Sequence, residues 1–303
     1  MTEPEQGPTK AGFVAIVGAP NVGKSTLINR LVGTKVSIVS PKVQTTRTRV
    51  LGICLIGQAQ IAFIDTPGIF EPRRRLDRAM VAAAWNGAGD ADQALLLIDA
   101  DRGIDKDSRR IIKQLKGAGR KAMLALNKID LVGKPKLLTL TEELNETGIF
   151  TEIFMISAEN GDGVDDLMAT IVADLPEGPW LYPEDQISDM PERHLAAEIT
   201  REKLYLQLRQ ELPYAATVET ETWEHRDDGS IKIGQIIYVE RDTQKAIVLG
   251  KGGKQIKSLG ATARLELEEI LETRVHLFLF VKVREKWGDD PDRYRDWGLD
   301  FNA

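Results

Sequence analysis

The sequence has a single cysteine, Cys54, among 303 residues. One cysteine cannot form a disulfide within the chain, so a disulfide-stapled secreted scaffold is excluded and a reducing cytoplasm fits better. We expect Cys54 to be a small buried residue of a strand. The first 12 residues are polar and lack the apolar segment of a signal peptide.

Long apolar runs and an excess of positive charge are also missing. The apolar runs at 94–98 and 275–281 are far shorter than the roughly 20 residues that a transmembrane helix needs. The formal net charge is -6, and the excess of acidic residues lies after Pro183. Because binding to a polyanion requires positive charge, a nucleic-acid site in this part of the chain must be a local patch.

The first 175 residues alternate short apolar runs with amphipathic segments. The apolar runs are typical of buried strands and lie at 13–17, 51–56, 61–64, 94–98, 122–126 and 153–156. The amphipathic segments predict helices at 24–31, 76–85, 107–115, 136–146 and 164–175. This alternation predicts an α/β fold with a mostly parallel sheet, one antiparallel edge strand and helices on both faces.

The organisation changes after a proline-rich segment. Four prolines between 176 and 191 rule out a helix there, so we predict a linker that Trp180 and Tyr182 hold against a surface. A helix at 195–212, strands at 215–223 and 231–239, helical pieces and a strand at 276–283 then predict a small α+β domain. The predicted parts are a disordered tail at 1–10, domains at 11–176 and 192–288, a linker at 177–191 and a tail at 289–303.

A phosphate-binding loop follows the first predicted strand. The motif G-x-x-x-x-G-K-S stands between that strand and a helix, which is the context that the motif requires. Its backbone N–H groups and the helix N-terminus favour phosphate, Lys24 reaches the outer phosphates, and the Ser25 hydroxyl binds Mg²⁺. The predicted nucleotide contacts of this loop are Gly18, Ala19, Pro20, Asn21, Val22, Gly23, Lys24, Ser25 and Thr26.

Three further motifs follow, each at the C-terminal end of a predicted strand: Asp65-Thr66-Pro67-Gly68, Asn127-Lys128-Ile129-Asp130 and Ser157-Ala158. We expect Asp65 to hold Mg²⁺ through water and the Gly68 N–H to sense a γ-phosphate. Asp130 accepts two hydrogen bonds from guanine that adenine cannot donate in the same arrangement. The Ala158 N–H is expected to meet guanine O6. In this order, the motifs predict a guanine-nucleotide site.

The second half contains a GXXG sequence at Gly250–Gly253, the kind of loop that clamps a nucleic-acid backbone in KH domains. Residues 241–257 include five lysines or arginines and one aspartate, which makes a local positive patch in an acidic region. The predicted RNA contacts are Ile247, Val248, Gly250, Lys251, Gly252, Gly253, Lys254, Ile256 and Lys257, with the three apolar residues as the floor under the bases. The order of elements resembles a type II KH domain.

The ordered motifs resemble the translation-factor-like class of P-loop GTPases. From about residue 11 to 286, the chain resembles the Era family, bacterial GTPases with a C-terminal KH domain. The resemblance implies GTP and GDP binding and GTP hydrolysis with Mg²⁺. Residues 44–47 resemble the switch I segment, with Thr46 as a Mg²⁺ ligand and Thr45 as its neighbouring alternative. Ile69 is a further predicted nucleotide contact. It stands where Ras-like enzymes carry the glutamine that orients water, so the water must be positioned in another way.

The resemblance also implies a slow hydrolysis that K⁺ stimulates. Asn21 matches the asparagine that coordinates K⁺ in related GTPases, where the cation supplies part of the charge of an arginine finger. The alternative is that Asn21 is an ordinary turn residue. The predicted catalytic residues are Lys24, Thr46, Gly68 and Asn21. The arginines at 73–75 are predicted to form a solvated surface or an RNA contact rather than to supply a catalytic arginine.

The partners follow from the resemblance, since the residues alone name none of them. The family implies the 3′ end region of 16S rRNA as ligand, a role in small (30S) ribosomal subunit maturation and peripheral association with the inner membrane. We also expect a cytoplasmic monomer. The predicted function is a switch, in which GTP binding and hydrolysis change how the KH groove is presented to rRNA. The alternative is an RNA-binding module in which GTP is mainly structural. An RNA-modifying enzyme has no support, because there is no metal-ligand cluster and the three histidines are scattered at His194, His225 and His276.

Overall fold

A computed structural model of the chain describes residues 8–42, 45–72, 74–208 and 212–303. The chain divides into two units. The first contains the described residues of Met1–Ser37, Thr46–Asp189 and Arg295–Ala303. The second contains those of Ile38–Thr45 and Met190–Tyr294. The predicted segments that include residues 1–7, Gln44 and Arg73 lie partly outside the described residues.

The first unit is built on a six-stranded sheet in the order β2-β3-β1-β4-β5-β6. The strands are β1 (Lys10–Gly18), β2 (Val50–Ile56), β3 (Ala59–Asp65), β4 (Gln93–Asp99), β5 (Ala122–Asn127) and β6 (Phe150–Met155). Neighbouring strands run parallel except for the β2–β3 hairpin. The predicted mostly parallel sheet with one antiparallel edge strand is therefore confirmed.

Helices cover both faces of this sheet. They are α1 (Lys24–Val32), α2 (Arg75–Asp90), α3 (Lys106–Gly117), α4 (Lys134–Asn145) and α5 (Val164–Ala173). One core contains Val14 and Ile16 of β1 together with residues of α1 and α5. A second core contains Ala15 and Val17 of β1 together with residues of α2, α3 and α4. Successive side chains of a strand point to opposite faces, so a continuous apolar run in β1 buries both.

The predicted linker at 177–191 is an ordered part of the first unit as far as Asp189. The buried Gln60 of β3 accepts hydrogen bonds from the backbone N–H groups of Leu181 and Tyr182, at 2.7 and 2.9 Å. The Trp180 indole donates to Gln58 O at 3.1 Å. This segment therefore lies along the edge of the sheet, because its backbone and aromatic groups complete the hydrogen bonding of the β2–β3 hairpin.

The second unit packs helices on a three-stranded sheet in the order β7-β8-β9. Its elements are α6 (Glu192–Gln207), β7 (Ala216–His225), β8 (Ile231–Val239), α7 (Asp242–Leu249), α8 (Lys254–Ile270) and β9 (Val275–Val283). The β7–β8 hairpin is antiparallel, and β9 runs parallel to β8. Leu204, Val248, Leu259 and Val281 belong to its core.

Two predictions about this unit differ from the structure. The helical pieces after the GXXG loop are one helix, α8, which continues through Gly260. A Cβ at Gly260 would lie 3.3 Å from Leu279 of β9, so a residue without a side chain lets the helix approach the strand closely. Helix α6 ends at Gln207, earlier than the predicted residue 212. Residues 209–211 of that prediction lie outside the described chain.

The described residues of both predicted tails make contacts with the rest of the chain. Thr9 Oγ1 donates to Gly178 O at 2.9 Å, and β1 begins at Lys10. Near the other end, Trp287 is buried and its indole N–H donates to Ala215 O at 2.9 Å. Helix α9 follows at Pro291–Asp296. Residues 295–303 belong to the first unit, where Arg75 lies 4.2 Å above the Phe301 ring.

Cys54 lies in β2 with its side chain partly buried against the first core. Burial raises the pKa of its thiol to about 12, which leaves it a protonated packing residue. Among the described residues, none of the helices has both the length and the apolar composition to cross a membrane.

Candidate functional site

The parallel strands bring the sequence motifs of the first unit to one edge of the sheet. Gly18 ends β1, Asp65 ends β3 and Asn127 ends β5, and these strands share a direction. Ser157 follows β6 closely. The carboxyl edge of such a sheet is where open α/β folds bind their ligands, so the four motifs face a common site.

The loop between β1 and α1 is held in shape by conformation and by close contacts. Gly23 has a φ of 100°, and a Cβ there would lie 2.3 Å from Nδ2 of Asn127. Asn127 Nδ2 also donates to Val22 O at 2.8 Å. The second glycine of the motif is thus required both for the left-handed turn and for the approach of the guanine motif. Helix α1 begins at Lys24, so its N-terminus faces the loop.

Lys24 lies inside the loop with only 6% of the residue exposed. Its Nζ donates to Gly18 O at 3.2 Å and to Ala19 O at 3.1 Å. Burial lowers the pKa of Lys24 to about 8, and the nearby Asp65 carboxylate offsets only part of this effect. A buried ammonium with backbone acceptors is well suited to bind a phosphate that enters the loop.

Oxygen atoms converge on the carboxylate at the end of β3. Asp65 Oδ2 accepts hydrogen bonds from Ser37 Oγ at 2.7 Å, Ser25 Oγ at 2.8 Å and Thr46 Oγ1 at 3.3 Å. Asp65 Oδ1 is buried without a partner, and burial raises the pKa of this carboxyl while the Lys24 charge opposes the rise. A buried carboxylate oxygen beside three hydroxyls is a hard-oxygen set that fits Mg²⁺.

The structure separates the two threonines that the sequence left as alternatives. Thr46 Oγ1 lies 3.0 Å from Ser25 Oγ and also reaches Asp65. Thr45 instead bonds Lys42 O at 2.7 Å and Ser40 Oγ at 2.8 Å, away from this carboxylate. Thr46 is therefore the threonine placed beside Ser25 and Asp65.

The segment after Asp65 closes against the phosphate-binding loop. A Cβ at Gly68 would lie 2.9 Å from Cγ of Pro20 and 3.0 Å from its N and Cα atoms, so only glycine fits. The Ile69 N–H donates to Gly18 O at 3.1 Å. The Ile69 side chain is 1% exposed and belongs to the core, and an apolar side chain offers no hydrogen bond to orient a water molecule. Thr66 and Pro67 lie between these contacts, and Thr66 Oγ1 donates to Ile16 O at 2.8 Å.

The first two residues of the guanine motif make contacts within the protein, and its fourth residue is exposed. Asn127 is buried, and Lys128 has a left-handed φ of 65° and donates to Asn21 O at 3.0 Å. Ile129 and Asp130 form a 3₁₀ turn in which Asp130 is exposed. An exposed carboxylate on a turn held at both ends is available for the base edge.

The Ala158 N–H, the predicted partner of guanine O6, connects two of the motifs in this structure. It donates to Asn127 Oδ1 at 2.9 Å. The Ser157 side chain is buried, and the Ser157 N–H donates to Asp162 O at 2.9 Å. Residues 157 and 158 therefore shape the base site through the backbone.

The GXXG loop of the second unit is open to solvent. Gly250, Gly252 and Gly253 have φ values of 70°, 61° and 75°, and a Cβ at Gly252 or Gly253 would meet nothing within 4 Å. Lys251, Lys254 and Lys257 are exposed. Helix α8 begins at Lys254, which adds its N-terminal N–H groups to the loop.

One residue of the predicted RNA surface is misplaced. Val248 is 0% exposed and lies in the core, so it supports the loop from below and does not contact bases. Ile247 is 56% exposed, and Ile256 is partly buried against the same core. Neighbouring residues of a helix point in different directions, and for this reason Ile247 and Val248 cannot both line one surface.

Comparison with known proteins places the chain in a family. A family model described as a 50S ribosome-binding GTPase matches residues 13–128, and a KH domain model matches 211–288. GTPase Era of Rhizobium meliloti (strain 1021) is 62% identical over 294 residues, which are 97% of this chain and 94% of that protein. The chain belongs to the Era family of GTPases. Its relative from Afipia carboxidovorans is 59% identical over 301 residues, covering 99% of this chain and 98% of that one.

Solved Era structures share the whole fold. Era in complex with MgGDPNP and nucleotides 1506–1542 of 16S ribosomal RNA is 44% identical, with a TM-score of 0.91 over 96% of this chain and 99% of that one. A variant of Aquifex aeolicus Era bound to GDP·AlF4⁻ is 43% identical, with the same score and coverage. This Era-family chain is therefore a GTPase whose P-loop domain is followed by a KH domain.

Three residues around the nucleotide site of this Era-family chain lie outside the sequence motifs and were not predicted from them. Ser37 donates to Asp65, Asp99 accepts from Lys128 Nζ at 2.6 Å, and Arg30 Nε donates to Ala158 O at 2.6 Å. Each acts through a side chain that meets a residue distant in sequence. Asp99 had the best available signal, because it ends an apolar strand as Asp65 and Asn127 do.

Proposed function

We propose that the chain is a GTP-operated switch that binds the 3′ end region of 16S rRNA through its KH unit and acts in assembly of the small ribosomal subunit. The observation that supports this proposal is that one chain contains two loops suited to bind phosphate groups. One is the enclosed loop with Lys24, and the other is the open GXXG loop with Lys251. The ligands of the solved Era complex support the choice of GTP and of this RNA.

In the nucleotide site, we assign phosphate binding to Lys24 and to the backbone N–H groups between Gly18 and Ser25. Ser25, Thr46 and Asp65 are the residues that would hold Mg²⁺, directly or through water. When bound, the ion would neutralise charge on the β- and γ-phosphates. Asp130 would read guanine, and the Gly68 N–H would sense the γ-phosphate from its position against Pro20.

We assign the RNA clamp to the residues around the GXXG loop. The loop glycines leave space for a phosphate backbone, since a Cβ at Gly252 or Gly253 would meet nothing. The exposed lysines at 251, 254 and 257 supply the local positive charge. Ile247 presents an exposed apolar surface for the bases. Sequence would be read where unpaired base edges meet the groove.

The switch proposal rests on the chain around Thr46. Ser37 and Thr46, which both bond Asp65, border the segment Ile38–Thr45, whose described residues belong to the second unit. There the Val39 N–H donates to Glu202 Oε1 of α6 at 2.8 Å, and Lys42 donates to the carbonyl groups of Tyr205 and Leu208. A nucleotide that changes the position of Thr46 would therefore change the positions of Val39 and Lys42, which are bonded to α6 and Leu208.

The decisive experiment measures RNA affinity in three nucleotide states. The RNA would be an oligomer of nucleotides 1506–1542 of 16S rRNA, with a scrambled oligomer as control, at one salt concentration. We expect specific binding that tightens with a GTP analogue relative to GDP, and by reciprocity tighter binding of the analogue when RNA is present. Specific binding that ignores the nucleotide would favour a passive module with a structural GTP. Equal binding of both oligomers would overturn the RNA target.

We also propose that intrinsic hydrolysis is slow and that K⁺ stimulates it through Asn21. The buried Ile69 leaves no side chain at this position to orient water, and Asn21 occupies the tip of the loop with a φ of 63°. Replacing Na⁺ by K⁺ should raise the hydrolysis rate about tenfold in the wild type and not in Asn21→Asp. Equal rates in the two salts, with no effect of the substitution, would show that Asn21 is a turn residue.

The cellular location, the oligomeric state and the membrane association are proposals. We infer a cytoplasmic monomer that associates peripherally with the inner membrane, and the single cysteine agrees with a reducing compartment. Sedimentation equilibrium would test the monomer. Flotation with vesicles of inner-membrane lipids would test membrane association, and a protein that stays at the bottom of the gradient would contradict it.

A further inference from the structure

The tip of the phosphate-binding loop has a backbone conformation that must be held. Asn21 has a φ of 63°, in the left-handed region that costs a residue with a side chain some free energy. The two peptide planes on either side of Asn21 are the Pro20–Asn21 and Asn21–Val22 planes. Their orientation determines where the N–H groups of Asn21 and Val22 point, and these donors belong to the phosphate-binding motif.

Two cationic side chains hold these peptide planes by their carbonyl oxygens. Arg102 Nη1 donates to Pro20 O at 2.9 Å, and Lys128 Nζ donates to Asn21 O at 3.0 Å. In a trans peptide, the C=O and N–H bonds point in opposite directions, and the described chain has no cis peptide bond. Each cation therefore draws a carbonyl toward itself and turns the N–H of the next residue the other way.

Both cations are organised by one buried carboxylate. Asp99, the last residue of β4, is 4% exposed. Its Oδ2 accepts from Lys128 Nζ at 2.6 Å, and its Oδ1 accepts from the backbone N–H groups of Asp101 and Arg102 at 3.0 and 3.2 Å. Asp99 thus positions Lys128 directly and positions Arg102 through the turn that follows β4.

We propose that Arg102 is a positioning residue for GTP binding and hydrolysis. With Lys128 and Asp99 it orients the peptide planes at Asn21, so that the Asn21 and Val22 N–H groups face the phosphates before the nucleotide arrives. Donors that are oriented in advance need no rearrangement when charge develops in the transition state. Arg102 acts through the loop and does not touch the nucleotide.

The proposal predicts a loss of affinity for ligands that carry phosphates and none for a ligand without them. In Arg102→Met, the affinity for GDP and for a GTP analogue should fall about tenfold, because the loop donors are no longer oriented. The affinity for guanosine, which has no phosphate, should not change. Competition against a fluorescent GDP analogue measures all three ligands, and thermal unfolding checks that the variant is folded.

Two further variants separate orientation from charge. Arg102→Gln keeps an N–H donor for Pro20 O without a positive charge, so it should recover part of the affinity that Arg102→Met loses. Arg109→Ala is the matched control, since Arg109 is an exposed arginine of α3 paired with Glu143 at 3.3 Å. It should bind all three ligands as the wild type does.

Three results would overturn the proposal. Unchanged GDP affinity in Arg102→Met would show that the loop needs no such support. An equal loss for guanosine would show a general disturbance of the site. Equal losses in the Met and Gln variants would show that the charge of Arg102 attracts the phosphates from a distance, with no role for the hydrogen bond to Pro20.

Discussion

Each unit has a glycine-containing loop that is followed directly by the N-terminus of a helix. The loop of the first unit is enclosed by neighbouring side chains, whereas the loop of the second unit is open to solvent. In the P-loop, a Cβ at Gly23 would collide with Asn127 Nδ2 at 2.3 Å, and Lys24 is 6% exposed. In the KH loop, a Cβ at Gly252 would meet nothing, and Lys251 is exposed. The first loop is built to hold a small ligand by fixed hydrogen bonds, whereas the second is open to a long chain.

The difference in enclosure has an electrostatic consequence. A buried charge interacts strongly with its ligand and is little affected by salt, whereas exposed charges are screened by ions in solution. Burial also moves the pKa of Lys24. The same type of side chain should therefore give nucleotide binding that responds to pH and RNA binding that responds to salt.

The largest effect is expected from the base-reading residue of the enclosed site. Asp130→Asn should lower GTP affinity about 1,000-fold, because a carboxylate that accepts two hydrogen bonds from guanine is lost. Affinity for XTP should rise, since xanthine offers an acceptor where guanine has its amine. Competition binding with both nucleotides measures this exchange. Unchanged GTP affinity would mean that Asp130 does not read the base.

The matching change in the open site is the double variant Lys251→Asp/Gly252→Asp. Its RNA affinity should fall about 100-fold, because two negative charges stand where the backbone of the RNA would lie. GDP affinity should stay at the wild-type value. Lys282→Asp is the control, since Lys282 is exposed on β9 and pairs with Glu221 at 3.4 Å. If the control loses as much RNA affinity as the double variant, the GXXG loop is not the clamp.

Salt should distinguish the two sites in the unmodified protein. Raising the salt concentration from 50 to 200 mM should weaken RNA binding about 20-fold, as expected for roughly three phosphate contacts on a single strand. GDP affinity at fixed Mg²⁺ should change about twofold or less. Titrations in the same buffer series measure both ligands. If RNA affinity and GDP affinity fell equally with salt, the explanation from an open and an enclosed loop would be wrong.

A smaller effect is expected from pH in the enclosed site alone. The pKa of Lys24 is lowered to about 8, so in the free protein the ammonium form is lost as pH rises through 8. A phosphate prefers the protonated form, so GDP affinity should fall about tenfold between pH 7 and 9. Guanosine is the control ligand because it shares the ionisation of the base. Equal pH dependence for the two ligands would exclude Lys24 as the cause.

Much of the nucleotide site follows from the sequence because its motifs are local. Each motif combines a buried strand with the turn after it, and parallel strands place such turns at one edge. Val248 shows the limit of this reasoning. An apolar residue next to a GXXG loop can face either the ligand or the core, and the position of α7 against β9 decides that it faces the core.

By itself, the sequence determined the class of each unit, the order of its strands and helices, and the positions of both phosphate-binding loops. Tertiary structure alone decided that Thr46 and not Thr45 joins Ser25 and Asp65, that Ala158 bonds Asn127, and that Arg102 and Lys128 hold Pro20 and Asn21. The physical reason is distance along the chain. Hydrophobic periodicity and glycine turns are written in neighbouring residues, whereas side-chain hydrogen bonds join residues that only the finished sheet brings together.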